Sequence, residues 1–414
     1  MSSSSFWSRR HFLGTLAAAG AGASLLPAPG AWARPVASDP RVAAIVAATI
    51  GIDTHNHIDV PLTTADVPGP ALDLAAELKK SGLSAICLTF AVDYQALTAP
   101  GQAYERFRNG LAALDQQLRQ NGMKRALNLA DLQAAHRQHQ PTVIQSVEGG
   151  HFLEGKLERL GEAYGRGLRH LGLLHDHDAT PPLGDVFTNP PQWGGLTALG
   201  ASVIRECNRL GIRGVLAHAS ADTVRAALKI TTRPVLVSHT GLDTQLGTNP
   251  NMARMMQPRL ISREQAKIVA GAGGVIGVWT HLADTPLAYA QNIRALVEVV
   301  GIDHVGIGTD TKLTPAYRPA GGFGPPPGGG NAGGPPPGNP GGGPGGGGPG
   351  GPGGRPGGPR VGERTNEAWA GQQVGFYYAV VDALLQTGFN QEEIGKIGGG
   401  NFCRVFDAAT AGHR

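Results

Sequence analysis

The chain contains few cysteines, and this scarcity excludes two kinds of site. Cys87, Cys207 and Cys403 are the only three in 414 residues, and no two of them lie close in the sequence. An odd, widely spaced set predicts neither a disulfide framework nor a zinc site built from thiolates. Cys87 falls in the apolar run 85–88, which is typical of a buried, unreactive thiol.

The chain also lacks a strong net charge of either sign. The formal net charge is +4 at pH 7, and Arg9 and Arg10 contribute two of these charges. Both arginines belong to a leader that we expect to be removed, which leaves +2 on the mature chain. A net charge this small does not indicate a basic surface that would bind nucleic acid, so no nucleic-acid partner is expected.

A long apolar run is missing as well, and the first 33 residues are typical of a targeting signal. A twin-arginine pattern at 8–13 precedes an Ala/Gly-rich stretch at 14–26 and the small-x-small cleavage signal Ala31-Trp-Ala33. A short membrane anchor is the alternative, but glycine and proline interrupt the run. We predict a twin-arginine signal peptide over 1–33, bacterial export to the periplasm or medium, and no stable membrane span in the mature chain 34–414.

After the leader, short apolar runs alternate with longer segments of helical periodicity. Eight runs are candidate strands: 49–53, 84–90, 142–147, 168–174, 214–217, 234–238, 274–279 and 304–309. The candidate helices are 71–81, 104–121, 155–165, 196–210, 221–230, 262–270, 287–300 and 366–386, with short final helices from 391 and at 401–409. This alternation predicts an α/β fold, a closed (β/α)8 TIM barrel of the metal-dependent hydrolase type. An open doubly wound sheet is the alternative, but no Gly-x-Gly-x-x-Gly loop follows the first strand.

One region interrupts the pattern. Residues 320–359 are almost entirely glycine and proline, without the strict register of collagen. This composition predicts a disordered insertion in the barrel domain. We favour a solvated spacer over a flexible lid, because nothing in the segment is chemically specific.

Polar side chains stand where the predicted strands end. They are His55, Asn56 and His57 after the first strand, then Glu148, His175, His218, His239 and Asp310. Taken singly, each is explained by a core histidine or a carboxylate that caps a helix. Together at the mouth of a barrel they would be desolvated without compensation unless a cation organised them, so the sequence predicts a metal site.

The first strand offers two ligand registers. Side chains two residues apart on an extended segment point the same way, so His55 and His57 can hold one ion. His57 and Asp59 can do the same.

Six motifs and a C-terminal segment occur in a distinctive order. They are Ile-Asp-Thr-His-Asn-His at 52–57, Val-Glu-Gly-Gly-His at 147–151, Leu-Leu-His-Asp at 173–176, Leu-Ala-His-Ala-Ser at 216–220, Val-Ser-His-Thr at 237–240, Gly-Ile-Gly-Thr-Asp at 306–310, and Gly-Asn-Phe-Cys-Arg-Val at 400–405. Order and spacing resemble those of the membrane (renal-type) dipeptidases, peptidase family M19 of the amidohydrolase superfamily. The likeness covers most of the mature chain.

The resemblance implies two zinc ions per chain and a small dipeptide substrate, whose carbonyl is attacked by a hydroxide held at the metals. Glu148 would bridge the ions, His55 and His57 would complete one site, and His218 and His239 the other. His175 would contact the scissile carbonyl, Arg259 would pair with the substrate's carboxylate, and Asp310 would be the catalytic acid and base. The resemblance also allows a homodimer.

The chain departs from the family at two of these places. The family has His-x-Asp on the first strand, whereas the ungapped match gives His55-Asn56-His57; His57-Ile58-Asp59 restores the pattern only with two extra residues. We predict the His55 and His57 register, with Asp53 at the strand's end and Asp59 a loop or outer carboxylate. The family's Asp-Phe-Asp-Gly becomes Asp310-Thr-Lys312, which bears on substrate range.

The predicted function is that of an exported, zinc-dependent dipeptidase. One rival is another amidohydrolase-type activity on a lactone, a β-lactam or an N-acyl amino acid. The other is a catalytically silent metal-binding barrel, which Asp310 argues against, because a binding protein needs no proton carrier.

Overall fold

Eight parallel strands form a closed barrel in the computed structural model, which describes residues 39–67, 69–317 and 362–412. They are β1 (Ile52–His57), β2 (Ala85–Ala91), β3 (Thr142–Glu148), β4 (Leu168–Gly172), β5 (Arg213–Val215), β6 (Leu236–Thr240), β7 (Val275–Val278) and β8 (Val305–Ile307). Each strand pairs with the next in sequence, and β1 pairs with both β2 and β8. The predicted (β/α)8 barrel is therefore confirmed. A ninth short strand, β9 (Thr311–Lys312), extends the pairing at the end of β1.

Helices surround the barrel. They are α1 (Pro40–Ala48), α2 (Leu74–Ser81), α3 (Gln102–Gln120), α4 (Leu129–Arg137), α5 (Glu158–Gly165), α6 (Ala198–Leu210), α7 (Ala221–Leu228), α8 (Pro250–Met256), α9 (Arg263–Gly271), α10 (Pro286–Val300), α11 (Phe376–Gln386), α12 (Gln391–Gly395) and α13 (Asn401–Thr410). No helix among the described residues has both the length and the apolar character needed to cross a bilayer. The predicted leader and the predicted insertion 320–359 lie outside the described residues.

Several predicted boundaries were wrong. β1 runs from Ile52 to His57, so the residues expected after the strand lie within it. The long helix expected over 366–386 begins only at Phe376, since Gly371 has a φ of 73°, which interrupts a helix. Helices α1, α4 and α8 were not predicted. In α1 and α8 the first residue is a proline, and the side chain of the residue before it caps the helix.

The C-terminal helix closes one end of the barrel. Phe402 and Phe406 of α13 belong to the same buried cluster as Ile52, Ala85 and Leu236, which open their strands. The helix therefore covers the amino ends of the strands. The carboxyl ends, where catalytic sites occur in this fold, are left at the opposite mouth.

Asn401 fixes this closing helix, and its loss should be costly. Its Nδ2 donates to the carbonyl oxygens of Ile302 (2.7 Å) and Val305 (2.8 Å), and the residue is buried. Asn401→Ala leaves both acceptors without their donor, which should lower the free energy of unfolding by about 2 kcal/mol in urea denaturation. Arg404→Ala is the control, because Arg404 makes similar but exposed contacts with Gly273 and Asp303. An equal loss from both variants would contradict this account.

Candidate metal centre

Glu148 lies at the centre of the predicted site residues. It is the last residue of β3, and its side chain is 4% exposed. Oε1 lies 3.0 Å from His218 Nε2, 3.5 Å from His55 Nε2 and 3.7 Å from His239 Nε2. Oε2 lies 3.3 Å from His175 Nε2 and 3.9 Å from His57 Nε2. One carboxylate therefore contacts imidazoles from four strands or strand ends.

The imidazoles form two pairs on either side of Glu148. His55 Nε2 and His57 Nε2 are 3.2 Å apart, and His218 Nε2 and His239 Nε2 are 3.1 Å apart. Burial opposes ionisation of Glu148, but the neighbouring imidazoles hold the pKa of its carboxyl well below the usual range. Glu148 is therefore an anion between two pairs of nitrogen ligands.

The other nitrogen of each ring has a partner outside the centre. His57 Nδ1 is 2.9 Å from the Tyr94 hydroxyl, and His218 Nδ1 is 3.0 Å from Asp176 Oδ1. His239 Nδ1 and His55 Nδ1 lie 3.0 Å and 3.4 Å from Ser238 Oγ. Such outer contacts fix ring orientation and leave Nε2 facing the centre.

Asp310 completes the rim beside the first pair. Its Oδ1 is 2.8 Å from His57 Nε2 and 3.7 Å from His55 Nε2, while Oδ2 is 2.8 Å from His281 Nε2. Burial opposes its ionisation, but His239, His281 and His57 hold its pKa well below the usual range. Asp310 has a φ of 58°, an unfavourable conformation for a residue with a side chain, which the surrounding contacts must enforce.

His175 is held by a second buried carboxylate. Its Nδ1 is 2.7 Å from Asp93 Oδ1, and Nε2 faces Glu148. Burial opposes the charge on this ring, but Asp93 and Glu148 together raise the pKa of His175 to about 10. The ring is therefore cationic and directed at the centre.

Arg259 lies at the edge of the second pair, next to a cavity of about 310 Å³. His218 and His239 form part of the cavity wall, together with Phe187 and Trp279. Arg259 Nη2 is 3.1 Å from Asp176 Oδ2, and the other oxygen of Asp176 contacts His218. Asp176 therefore connects Arg259 to the second histidine pair.

Two carboxylates of the first strand segment lie apart from the centre. Asp59 Oδ2 accepts hydrogen bonds from Lys312 Nζ at 2.8 Å and from the Tyr317 amide at 2.9 Å. Asp53 was expected at the strand's end but lies inside β1. Its carboxylate accepts from the Thr309 amide and hydroxyl and from Asn56 Nδ2, which ties β1 to the end of β8.

Sequence reasoning missed several residues that contact the predicted set, among them Asp93, Asp176 and His281. Asp93 follows β2 and His281 follows β7, so both obey the strand-end rule that identified the others. Asp176 adjoins His175 in the chain and belongs to the motif at 173–176.

The donor set fits divalent cations. Three groups of ligand atoms each lie within 4.8 Å of one another: His55, His57 and Asp310; His55, Glu148 and His239; Glu148, His175 and His218. Imidazole and carboxylate are ligands for zinc and similar ions. The paired Nε2 atoms, whose rings already have partners at Nδ1, are therefore available as metal ligands.

Comparison with known proteins agrees with the fold and the chemistry. A family model described as membrane dipeptidase, peptidase family M19, matches residues 40–318. An amidohydrolase from Pseudomonas aeruginosa shares 20% identity over 89% of this chain and 98% of its own, with a TM-score of 0.64. The probable dipeptidase PvdM from the same organism shares 16% identity over 89% of this chain and 97% of its own, also at 0.64.

A third solved structure carries a ligand. A metallo peptidase from Rhodobacter sphaeroides, liganded with a phosphinate mimic of the dipeptide L-Ala-D-Ala, shares 15% identity over 87% of this chain and 99% of its own, with a TM-score of 0.59. These low identities establish the shared fold, whereas the family match covers more than half of the sequence. The chain therefore belongs to the membrane dipeptidase family, peptidase family M19, and is a metal-dependent hydrolase.

Proposed function

We propose that this chain is an exported, zinc-dependent dipeptidase with two zinc ions bridged by Glu148. His55 and His57 hold one ion, and His218 and His239 hold the other. The observation that carries the proposal is the position of the Glu148 carboxylate between the two histidine pairs. Two divalent cations bound there would lower the pKa of a shared water and polarise the peptide carbonyl.

Asp310 is the proton carrier in this proposal. Its carboxylate lies at the rim of the first pair and is ionised, so it has a lone pair that can take the proton of the attacking water. The same group returns the proton to the leaving amine. His281 and His57, each 2.8 Å from one of its oxygens, hold the carboxylate in place.

His175 and Arg259 bind the substrate. The cationic ring of His175, held by Asp93, can donate a hydrogen bond to the carbonyl oxygen and stabilise the negative charge that develops there. The guanidinium group of Arg259 can form a bidentate ion pair with a terminal carboxylate. The phosphinate mimic of a dipeptide bound to the Rhodobacter sphaeroides metallo peptidase supports a substrate of this size.

The remaining parts of the proposal concern the ends and the insertion of the chain. Residues 1–33 act as a twin-arginine signal peptide, which delivers the mature barrel 34–414 to the periplasm or the medium. Residues 320–359 serve as a solvated spacer, and the mature protein assembles as a homodimer.

The experiment that tests this function is a dipeptide panel on purified mature protein. Turnover should vanish after chelation and return with zinc. A fully metallated protein that releases no amino acid from any dipeptide would contradict the proposal.

The register of the first strand gives a separate prediction. His57→Asn should remove one equivalent of zinc, because it breaks the first pair, whereas Asp59→Asn should retain both ions, since Asp59 pairs with Lys312. Metal analysis of both variants after gel filtration measures this difference. Loss of an ion from Asp59→Asn alone would favour the His57 and Asp59 register instead.

A further inference from the structure

Asp176 links the second histidine pair to the arginine that is proposed to bind the substrate. Its two oxygens are divided between them, with Oδ1 3.0 Å from His218 Nδ1 and Oδ2 3.1 Å from Arg259 Nη2. The side chains of Asp176 and Arg259 are only 11% and 13% exposed, so solvent screens this ion pair weakly. We propose that Asp176 is a specificity-determining residue that weakens the preference for a free C-terminal carboxylate and admits dipeptides with an uncharged end, such as amides. This inference rests on the proposed function, in which Arg259 faces the substrate.

Two further contacts hold Arg259 beside Asp176. Its backbone carbonyl accepts a hydrogen bond from Thr240 Oγ1 at 2.8 Å, and its guanidinium carbon lies 5.8 Å from the centre of the Phe187 ring. Phe187 in turn stacks on His218, with the ring centres 5.4 Å apart. An incoming carboxylate therefore meets a guanidinium that already has a counter-ion.

The charge on Arg259 is paired before any substrate enters. Arg259 is the one lysine or arginine among the described residues that line the cavity of about 310 Å³. Asp176 offsets this charge, and a substrate carboxylate would lie near the Asp176 carboxylate as well as the guanidinium. Repulsion between the two anions reduces the attraction that a free arginine would supply.

The rest of the cavity suits an uncharged group. Val186, Leu260 and Ile261 supply apolar surface on its wall. Trp279 lines the same cavity, and its indole N–H is buried without an acceptor among the described residues. A neutral donor of this kind matches an amide or ester carbonyl as well as it matches a carboxylate.

The test compares alanyl-alanine with alanyl-alanine amide on the zinc-loaded enzyme and its Asp176→Asn variant. Asparagine keeps an oxygen that can accept from His218 Nδ1, so zinc content should not change, but it removes the negative charge. The wild type should cleave both substrates. In the variant, the ratio of the KM for alanyl-alanine to the KM for the amide should fall about tenfold.

Two controls separate this role from a structural one. Asp178→Asn changes a carboxylate two residues away that pairs with neither His218 nor Arg259 among the described residues, and it should leave the selectivity ratio unchanged. In an Arg259→Met background, Asp176→Asn should no longer alter the ratio. A wild type that rejects the amide, or a variant that changes both substrates equally, would overturn the proposal.

Failure of the proposed function is distinguishable from failure of this inference. If zinc-loaded protein hydrolyses neither substrate, the dipeptidase proposal fails, and the role of Asp176 is then decided by calorimetric binding of the same two compounds. A selective gain in affinity for alanyl-alanine in Asp176→Asn supports the inference. An equal change for both compounds, or no binding of either, overturns it.

Discussion

Glu148→Gln should lower kcat/KM by more than about 10³-fold and reduce bound metal. It is the only carboxylate among the described residues that lies within 4 Å of imidazole nitrogens from both histidine pairs, and glutamine would replace one of its anionic oxygens with a hydrogen-bond donor. Metal-ion catalysis contributes several kcal/mol to a hydrolysis, and each ~1.4 kcal/mol corresponds to a tenfold change in rate. Steady-state kinetics and metal analysis of the same preparation measure both effects.

Glu158→Gln is the matched control for this variant. Glu158 is an exposed residue in the first turn of α5, so its neutralisation should leave turnover and metal content unchanged. If Glu148→Gln retained two ions and a tenth or more of the activity, Glu148 would not be the bridging ligand.

Asp310→Asn should lower kcat by about 10²–10⁴-fold, the scale of general acid and base catalysis, while zinc content stays intact. The amide has the shape of the carboxylate and can still contact His57 or His281, but it cannot accept the proton of the attacking water. The expected result is a low-activity enzyme that binds substrate normally. Kinetics and metal analysis together measure it.

Asp303→Asn is the control here, because Asp303 is exposed beside Lys396 and far from the mouth in the fold. Loss of a zinc ion from Asp310→Asn would indicate that Asp310 acts as a ligand to the ion at His55 and His57. That outcome would contradict its assignment as the proton carrier.

The barrel could be predicted because each strand is a short buried run between helices of clear periodicity. A buried strand such as β2, in which six of the seven residues are apolar, can be recognised from composition alone. β1 was placed too early because its last residues, His55, Asn56 and His57, are polar although largely buried. A strand that ends in the site does not have the composition of a core strand.

The candidate site could be predicted in part for the same reason. Parallel strands bring their carboxyl ends to one mouth, so His218, His239 and Glu148 were expected to meet although they are distant in sequence. Asp93 and His281 were missed because a contact between two side chains depends on rotamers and on loop paths after the strands. Asp176 shows this most clearly, since nothing in its sequence neighbourhood indicates that it reaches Arg259.

The central claim is that two zinc ions lie on either side of Glu148. Anomalous diffraction at the zinc edge, from crystals of the mature protein grown with zinc, tests it most directly. The account predicts two peaks that share Glu148, one bound by His55 and His57 and the other by His218 and His239. A single peak, or two peaks without Glu148 between them, would contradict it.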